Sequence, residues 1–148
     1  FMSDALENGR RIRVFNVVDH YSRFFITSKI SSSIPARMVI EHLENAIEMY
    51  GKPERIRTDN GPEFRSKLFQ LWLKDRSIKW EQIQPGKPQQ NGYIERLNRT
   101  FREDVLDANI FPSIEKAQQI ADRFRSEYNE KRPHESIKNL TPSKLMVA

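Results

Sequence analysis

Two runs of β-branched and aromatic residues near the start of the chain are the feature that most restricts its fold. Residues 11–18 read RIRVFNVV and residues 23–30 read RFFITSKI, a composition typical of strands. Glu7-Asn8-Gly9-Arg10 precedes the first run, and its Asn-Gly pair predicts a two-residue hairpin turn. The sequence therefore predicts three antiparallel strands, the first of which lies before this turn.

Helical and strand patterns alternate through the rest of the chain. Apolar residues recur at helical spacing from Met38 to Tyr50, and Gly51 is a typical helix-ending residue. We then expect a strand at 55–58, a helix at 67–74, a strand at 78–83, and helices at 93–107 and 113–131. This order predicts an α/β fold, with a mixed five-stranded sheet flanked by helices in one domain spanning residues 1–148.

Asp59 follows the predicted strand at 55–58. Active sites of α/β sheets gather at the carboxyl ends of strands, which makes Asp59 a candidate metal ligand. Asp59-Asn60-Gly61 is also a common turn sequence, because Asp and Asn bond the turn backbone and Gly tolerates positive φ. From this segment alone, a ligand and a plain turn are equally good interpretations.

Glu95 lies in the helix predicted after the loop at 84–92. It stands at the border between an apolar face and a polar face, where a carboxylate can look into a groove. Taken alone, a solvated surface glutamate is the commoner role. The apolar stripe consists of Ile94, Leu97, Phe101 and Val105, and the adjoining polar edge of Asn91, Glu95, Asn98 and Arg102.

Any metal site in this chain must be built from carboxylates. The sequence has no cysteine, and its three histidines are far apart. Asp59 and Glu95 could together hold Mg²⁺ or Mn²⁺, which prefer oxygen ligands. A two-metal phosphoryl transfer usually needs a third acid, and Asp19, at the end of the second strand, is the candidate within the chain.

The hairpin turn fixes which residues face each other in the first two strands. If Asn8-Gly9 is a two-residue turn, paired positions sum to 17. Asp4 would then pair with Arg13, and Val17 would lie opposite the residue that precedes Phe1. Asp19, two residues beyond Val17, would point to the same face.

The charge balance favours a polyanionic partner only weakly. The net charge is +5 and the pI about 9.6, but 25 cationic side chains accompany 20 anionic ones. No run approaches the roughly 18 consecutive apolar residues that span a bilayer, and the start lacks the layout of a secretory signal. We therefore expect a soluble, cytoplasmic protein with no membrane partner.

The segments around the two acids are similar to those of a known family. Residues 58–64 read TDNGPEF, residues 85–98 read PGKPQQNGYIERLN, and 35 residues separate Asp59 from Glu95. This combination resembles DDE transposases and retroviral integrases. Residues 128–134 (YNEKRPH), followed by Leu140-Thr141-Pro142, resemble the C-terminal signature of orfB transposases from family-three bacterial insertion sequences, so the resemblance covers essentially the whole chain.

This resemblance implies an RNase H-like fold and a metal-dependent enzyme that cuts and joins DNA. Asp59 and Glu95 would be catalytic and would bind Mg²⁺ or Mn²⁺, with two ions present when DNA is bound. We also expect a homo-oligomer in the synaptic complex, because joining two element ends requires two sites. The implied DNA contacts are Lys87, Asn91, Arg99 and Arg102.

One part of the family pattern is not found in the sequence. The first catalytic aspartate of the family would stand immediately before Phe1. Asp19 belongs instead to VDHYSR at 18–23, a stretch whose aspartate the family does not normally count among its three ligands. Two alternatives therefore stay open: a DNA-binding or assembly module without chemistry, and an RNase H-like nuclease that hydrolyses without joining.

Overall fold

The first three strands form an antiparallel sheet in the order β1-β2-β3. In this computed structural model, which describes residues 1–83, 92–134, 138 and 140–147, β1 spans Met2–Ala5, β2 Arg11–Val18 and β3 Phe25–Ser31. Ile12 and Val14 of β2 are fully buried and belong to the core, and they lie on the same face of the strand. The predicted bounds of β2 are confirmed, and β3 begins two residues later than predicted.

The predicted hairpin register was wrong by one residue. The Leu6 N–H donates to the Arg10 carbonyl at 2.9 Å, and Gly9 has a φ of +88°. The turn is therefore a three-residue loop with glycine in the left-handed position, where a residue without Cβ is favoured. Paired positions sum to 16, and Asp4 does not lie opposite Arg13. The observed pairs are Met2 with Val14, Ser3 with Arg13, Asp4 with Ile12 and Ala5 with Arg11.

Contacts divide the chain into two compact units. The first unit comprises residues 1–33 and 93–148, and the second comprises residues 34–92. In the second unit, β4 and β5 pair in parallel, with Thr58 beside Gln82. The elements of this unit are α1 (Ala36–Tyr50), β4 (Arg55–Thr58), α2 (Pro62–Arg65), α3 (Lys67–Asp75) and β5 (Lys79–Gln82).

Local signals set the helix bounds of the second unit. Gly51 ends α1 with a φ of +95°, as predicted. Ser66 caps α3, because its Oγ accepts a bond from the Phe69 N–H at 3.2 Å. Phe69 and Leu73 are buried one turn apart on α3, which gives this helix the apolar face that it packs inward.

The helices of the first unit are α4 (Gly92–Phe101), α5 (Ile114–Lys131) and α6 (Pro142–Val147). A π-helical segment, Arg102–Leu106, continues α4, and the Asp107 N–H donates to the Arg102 carbonyl at 2.7 Å. The predicted apolar stripe of α4 is confirmed, since Leu97, Phe101 and Val105 join the core of β1–β3 and Ile94 packs against it.

Two amide side chains of α5 bond the backbone of the edge strand β3. Gln118 accepts from the Ile30 N–H at 2.8 Å and donates to the Ser28 carbonyl at 2.7 Å. Asn129, three turns later, accepts from the Phe25 N–H at 2.6 Å and donates to the same residue's carbonyl at 3.0 Å. The amides satisfy backbone groups that an edge strand otherwise leaves unpaired.

The predicted α/β class is confirmed. The described residues contain five strands, in one three-stranded antiparallel sheet and one two-stranded parallel sheet. Their union in a single mixed sheet, and a single domain over residues 1–148, remain predictions. The short helix α2 and the π-helical segment were not predicted. No helix within the described ranges is long and apolar enough to cross a membrane.

Candidate active site

Asp59 stands immediately after β4, at the carboxyl end of a strand, as predicted. Its Oδ1 accepts a bond from the Gly61 N–H at 2.8 Å, so the side chain does stabilise a turn. The residue is nevertheless exposed, whereas Thr58 before it is buried. The Trp80 indole N–H donates to Thr58 Oγ1 at 2.9 Å, which ties the end of β4 to β5. The Asp59 side chain therefore stabilises a turn and is also exposed to solvent.

A second carboxylate lies close to Asp59. Glu63, in α2, places its Oε2 2.7 Å from where a Cβ on Gly61 would be, and Asp59 Oδ1 is 3.0 Å from the same point. A Cβ at residue 61 would therefore press against the ends of these two side chains, and at least one of them would have to shift. Gly61 lets both carboxylates approach its Cα closely, and its φ of −56° is one that any residue can adopt. The sequence interpretation missed Glu63, although the TDNGPEF segment contains it.

Glu95 lies in the first turn of α4 and is exposed. Asn98, one turn later, accepts a bond from Asn16 Nδ2 on β2 at 3.1 Å. Arg102 donates to the Ser3 carbonyl on β1 at 2.8 Å. Asn98 and Arg102 of the predicted polar edge therefore lie along β2 and β1, and Glu95 precedes them on the same helix.

Asp19 belongs to the turn between β2 and β3. Its Oδ2 accepts bonds from the Ser22 N–H at 2.8 Å and from the Ser22 hydroxyl at 2.6 Å. These contacts give the carboxylate a structural task within the turn, and its predicted catalytic role stays a prediction.

Of the four predicted DNA contacts, Arg99 is exposed on α4. Arg102 contacts other residues of the protein: its Nη1 lies 3.9 Å from Asp4 Oδ2, and its Nη2 donates to the Ser3 carbonyl. Lys87 and Asn91 lie outside the described residues. Asp59 belongs to the second unit and Glu95 to the first, so a shared metal site remains a prediction. No group of three or more potential metal ligands occurs among the residues that the structure describes.

Comparison with known proteins connects these residues to one family. The sequence pattern of a family described as Integrase core domain matches residues 1–88, and a second pattern of the same description matches residues 76–142. A protein of insertion element IS407 from Burkholderia multivorans is 36% identical over 98% of this chain and 52% of its own length. A protein of insertion element IS476 from Xanthomonas euvesicatoria is 38% identical over 98% of this chain and 42% of its own. The chain spans about half the length of these curated relatives.

Solved structures share the fold. The HTLV-2 integrase catalytic core domain, in complex with magnesium in a trimeric form, has a TM-score of 0.76 at 20% identity, covering 98% of this chain and 90% of that one. The catalytic core domain of BIV integrase has a TM-score of 0.69 at 22% identity, covering 99% and 90%. At these identities the likeness establishes the fold alone, and the predicted RNase H-like fold is confirmed.

Proposed function

Since the chain belongs to the integrase core domain family, we propose that it is the catalytic core of an insertion-element transposase that cuts DNA and joins the cut end to a target. The observation that carries this proposal is the placement of two exposed carboxylates. Asp59 follows the parallel strand β4, and Glu95 lies in the first turn of α4. The curated relatives, which are proteins of insertion elements, support the same conclusion.

The donor chemistry of the two acids fits Mg²⁺ or Mn²⁺. Both residues offer carboxylate oxygens at the surface, and such hard ions prefer oxygen ligands and keep water positions open for substrate phosphates. We propose Asp59 and Glu95 as the ligands. A bound ion would polarise the phosphoryl group and lower the pKa of a coordinated water.

A third ligand is proposed at the position preceding Phe1. If the pairing of β1 with β2 continued in the observed register, a residue at that position would lie opposite Asn16 on β2, on the face that also bears Val14. Asn16 bonds Asn98, which lies one helical turn from Glu95. An aspartate at that position would therefore lie beside the polar edge of α4. The corrected register supports this site better than it supports Asp19, whose carboxylate is bonded to Ser22.

The proposed reaction consists of two phosphoryl transfers. In cleavage, a water oxygen bonds to phosphorus, the bond from phosphorus to the 3′-oxygen breaks, and the 3′-oxygen takes up the proton that water loses. In joining, that 3′-hydroxyl attacks a target phosphodiester and releases a target 3′-hydroxyl. Arg99, exposed one turn after Glu95, is proposed to bind a DNA phosphate, together with Lys87 and Asn91. Arg102 contributes less, because Ser3 and Asp4 already engage it.

The test is metal-dependent strand transfer on element-end DNA by the full product of the gene. Glu95→Gln removes a negative ligand and little volume, so we expect it to abolish cleavage and joining. Glu103→Gln is the matched control, because Glu103 is also exposed and lies two turns further along the same helical stretch. Circular dichroism checks that both variants are folded. Full activity in folded Glu95→Gln protein would refute the assignment.

The same assay separates the alternatives. A nuclease would release hydrolysed products and yield no joined ones. An assembly module would bind DNA equally with and without Mg²⁺ and cleave nothing. We further propose that the active form is a homo-oligomer, and light scattering with element-end DNA would show a mass of at least two chains.

A further inference from the structure

The turn between β2 and β3, residues Asp19–Arg23, is held by its own side chains. Asp19 Oδ2 accepts two bonds from Ser22, and the Ser22 hydroxyl oxygen accepts a third from the Phe24 N–H at 3.1 Å. Ser22 is fully buried. The backbone closes the same turn, because the Arg23 N–H donates to the Asp19 carbonyl at 2.8 Å. Together these bonds restrict the turn to a single conformation.

Arg23 occupies an unusual backbone conformation within the turn. Its φ is +64°, which side chains with a Cβ rarely adopt unless surrounding contacts enforce it. Its guanidinium donates to the carbonyls of His20 and Tyr21, the latter at 3.1 Å. The arginine is 8% exposed. Such strain, retained in a buried residue, is frequent at functional sites.

The turn contacts the beginning of α4 through Tyr93. The Arg23 guanidinium carbon lies 3.5 Å from the centre of the Tyr93 ring, and the His20 ring meets that ring edge-on at 4.7 Å. The ring is thus fixed on one face by a cation and from another side by an imidazole. Tyr93 precedes Glu95 by two residues in the same helical turn, so fixing Tyr93 fixes the helix end that presents the carboxylate.

We propose that Asp19, Ser22 and Arg23 are positioning residues that act through Tyr93 on Glu95, and that Asp19 is not a metal ligand. This inference rests on the proposed role of Glu95. It explains why an aspartate near the site has its Oδ2 committed to Ser22, and why a buried arginine is held at positive φ. Supporting groups that orient metal ligands typically change activity or metal affinity about 10- to 100-fold when removed.

Substitutions at Asp19 separate a positioning role from a ligand role. An asparagine can still accept both bonds from Ser22 through its amide oxygen, but it is a poor substitute for an anionic ligand. We expect Asp19→Asn to retain strand transfer and Asp19→Ala to lose about 10- to 100-fold. If Asp19→Asn is as inactive as Glu95→Gln, Asp19 is a ligand and the proposal is overturned.

Substitutions at the ring contact test the connection to Glu95. We expect Arg23→Met and Tyr93→Leu to raise the Mg²⁺ concentration for half-maximal activity about 10- to 100-fold, with the KM for DNA unchanged. Tyr93→Phe keeps the ring and should restore the wild-type Mg²⁺ requirement. A merely structural role would lower the melting temperature without moving the Mg²⁺ requirement.

The outcomes are distinguishable from failure of the proposed function. Wild-type Mg²⁺ dependence in both Arg23→Met and Tyr93→Leu, with Glu95→Gln inactive, would overturn the positioning role and leave the active site standing. Activity in folded Glu95→Gln would overturn the active site itself. If Arg23→Met fails to fold, the comparison of Tyr93→Leu with Tyr93→Phe decides the question.

Discussion

Polar side chains stabilise the two units in different ways. In the first unit, the amide of Asn129 is 3% exposed and bonds both backbone groups of Phe25. In the second unit, Glu44 on α1 bonds Arg76 and the Trp72 indole on α3, where side chains are about a third or more exposed. Removing a partner from a buried bond leaves a group desolvated and unpaired, whereas water and salt replace an exposed ion pair. We therefore expect stability to depend strongly on Asn129 in the first unit and only weakly on Glu44 in the second.

The largest expected effect is that of Asn129→Ala. This substitution leaves the Phe25 N–H without its amide acceptor inside the protein, which costs about 2–3 kcal/mol. Urea denaturation should show this loss of unfolding free energy, and hydrogen exchange at the Phe25 amide should accelerate. Asn45→Ala is the control, because Asn45 is exposed on α1 and should change stability by less than about 0.5 kcal/mol. Equal effects of the two substitutions would contradict the comparison.

We expect the first unit to lose stability at high pH. Burial raises the pKa of Tyr128 from 10.0 to about 12, against the opposing charges of Arg132 and Arg23. The fold favours the neutral phenol, so its contribution to stability is complete below pH 10 and is lost as the pH rises to about 12. We expect Tyr128→Phe to lose less stability than wild type across this range, as measured by urea midpoints.

The control for this prediction is Tyr21→Phe. Tyr21 is 72% exposed, so its phenol loses little contact with water on folding. Its removal should leave the alkaline dependence as it is in wild type. If Tyr128→Phe and Tyr21→Phe behave alike, the burial of Tyr128 has no energetic consequence.

The parts of the fold that could be predicted are those that local sequence patterns determine. Local patterns were sufficient for β2 and β4, whose bounds were predicted correctly, and for the end of α1 at Gly51. The hairpin register could not be predicted in this way, because the turn sequence alone does not determine it. Asn8-Gly9 is compatible with both two- and three-residue loops. In the observed three-residue loop, Leu6 is buried in the core and the Glu7 N–H donates to the Phe111 carbonyl.

The site shows the same division. Asp59 and Glu95 were predictable because their positions follow from strand and helix periodicity and from the family segments. The π-helical segment was not, because an apolar stripe from Ile94 to Val105 suits an α-helix equally well. The role of Asn129 could not be predicted either, because nothing in the sequence around a helical asparagine indicates a backbone partner 104 residues away.

The smallest expected effect is in the second unit, at Glu44. Side-chain hydrogen bonds to Glu44, chiefly from Arg76 and to a smaller extent from Trp72, lower the pKa of Glu44 from 4.5 to about 2. The carboxylate is the favoured form, so its contribution is present above pH 4.5 and is lost as the pH falls to about 2. Glu44→Gln should make stability less steeply dependent on pH in this range while changing little at pH 7.

Tryptophan fluorescence measures this prediction selectively, because both tryptophans of the chain, Trp72 and Trp80, lie in the second unit. Glu48→Gln is the matched control, since Glu48 is exposed one turn after Glu44 on α1. High salt should reduce the difference between wild type and Glu44→Gln, because exposed ion pairs are screened. A loss at pH 7 as large as that of Asn129→Ala would show that the surface pair is as indispensable as the buried amide, and the contrast between the units would fail.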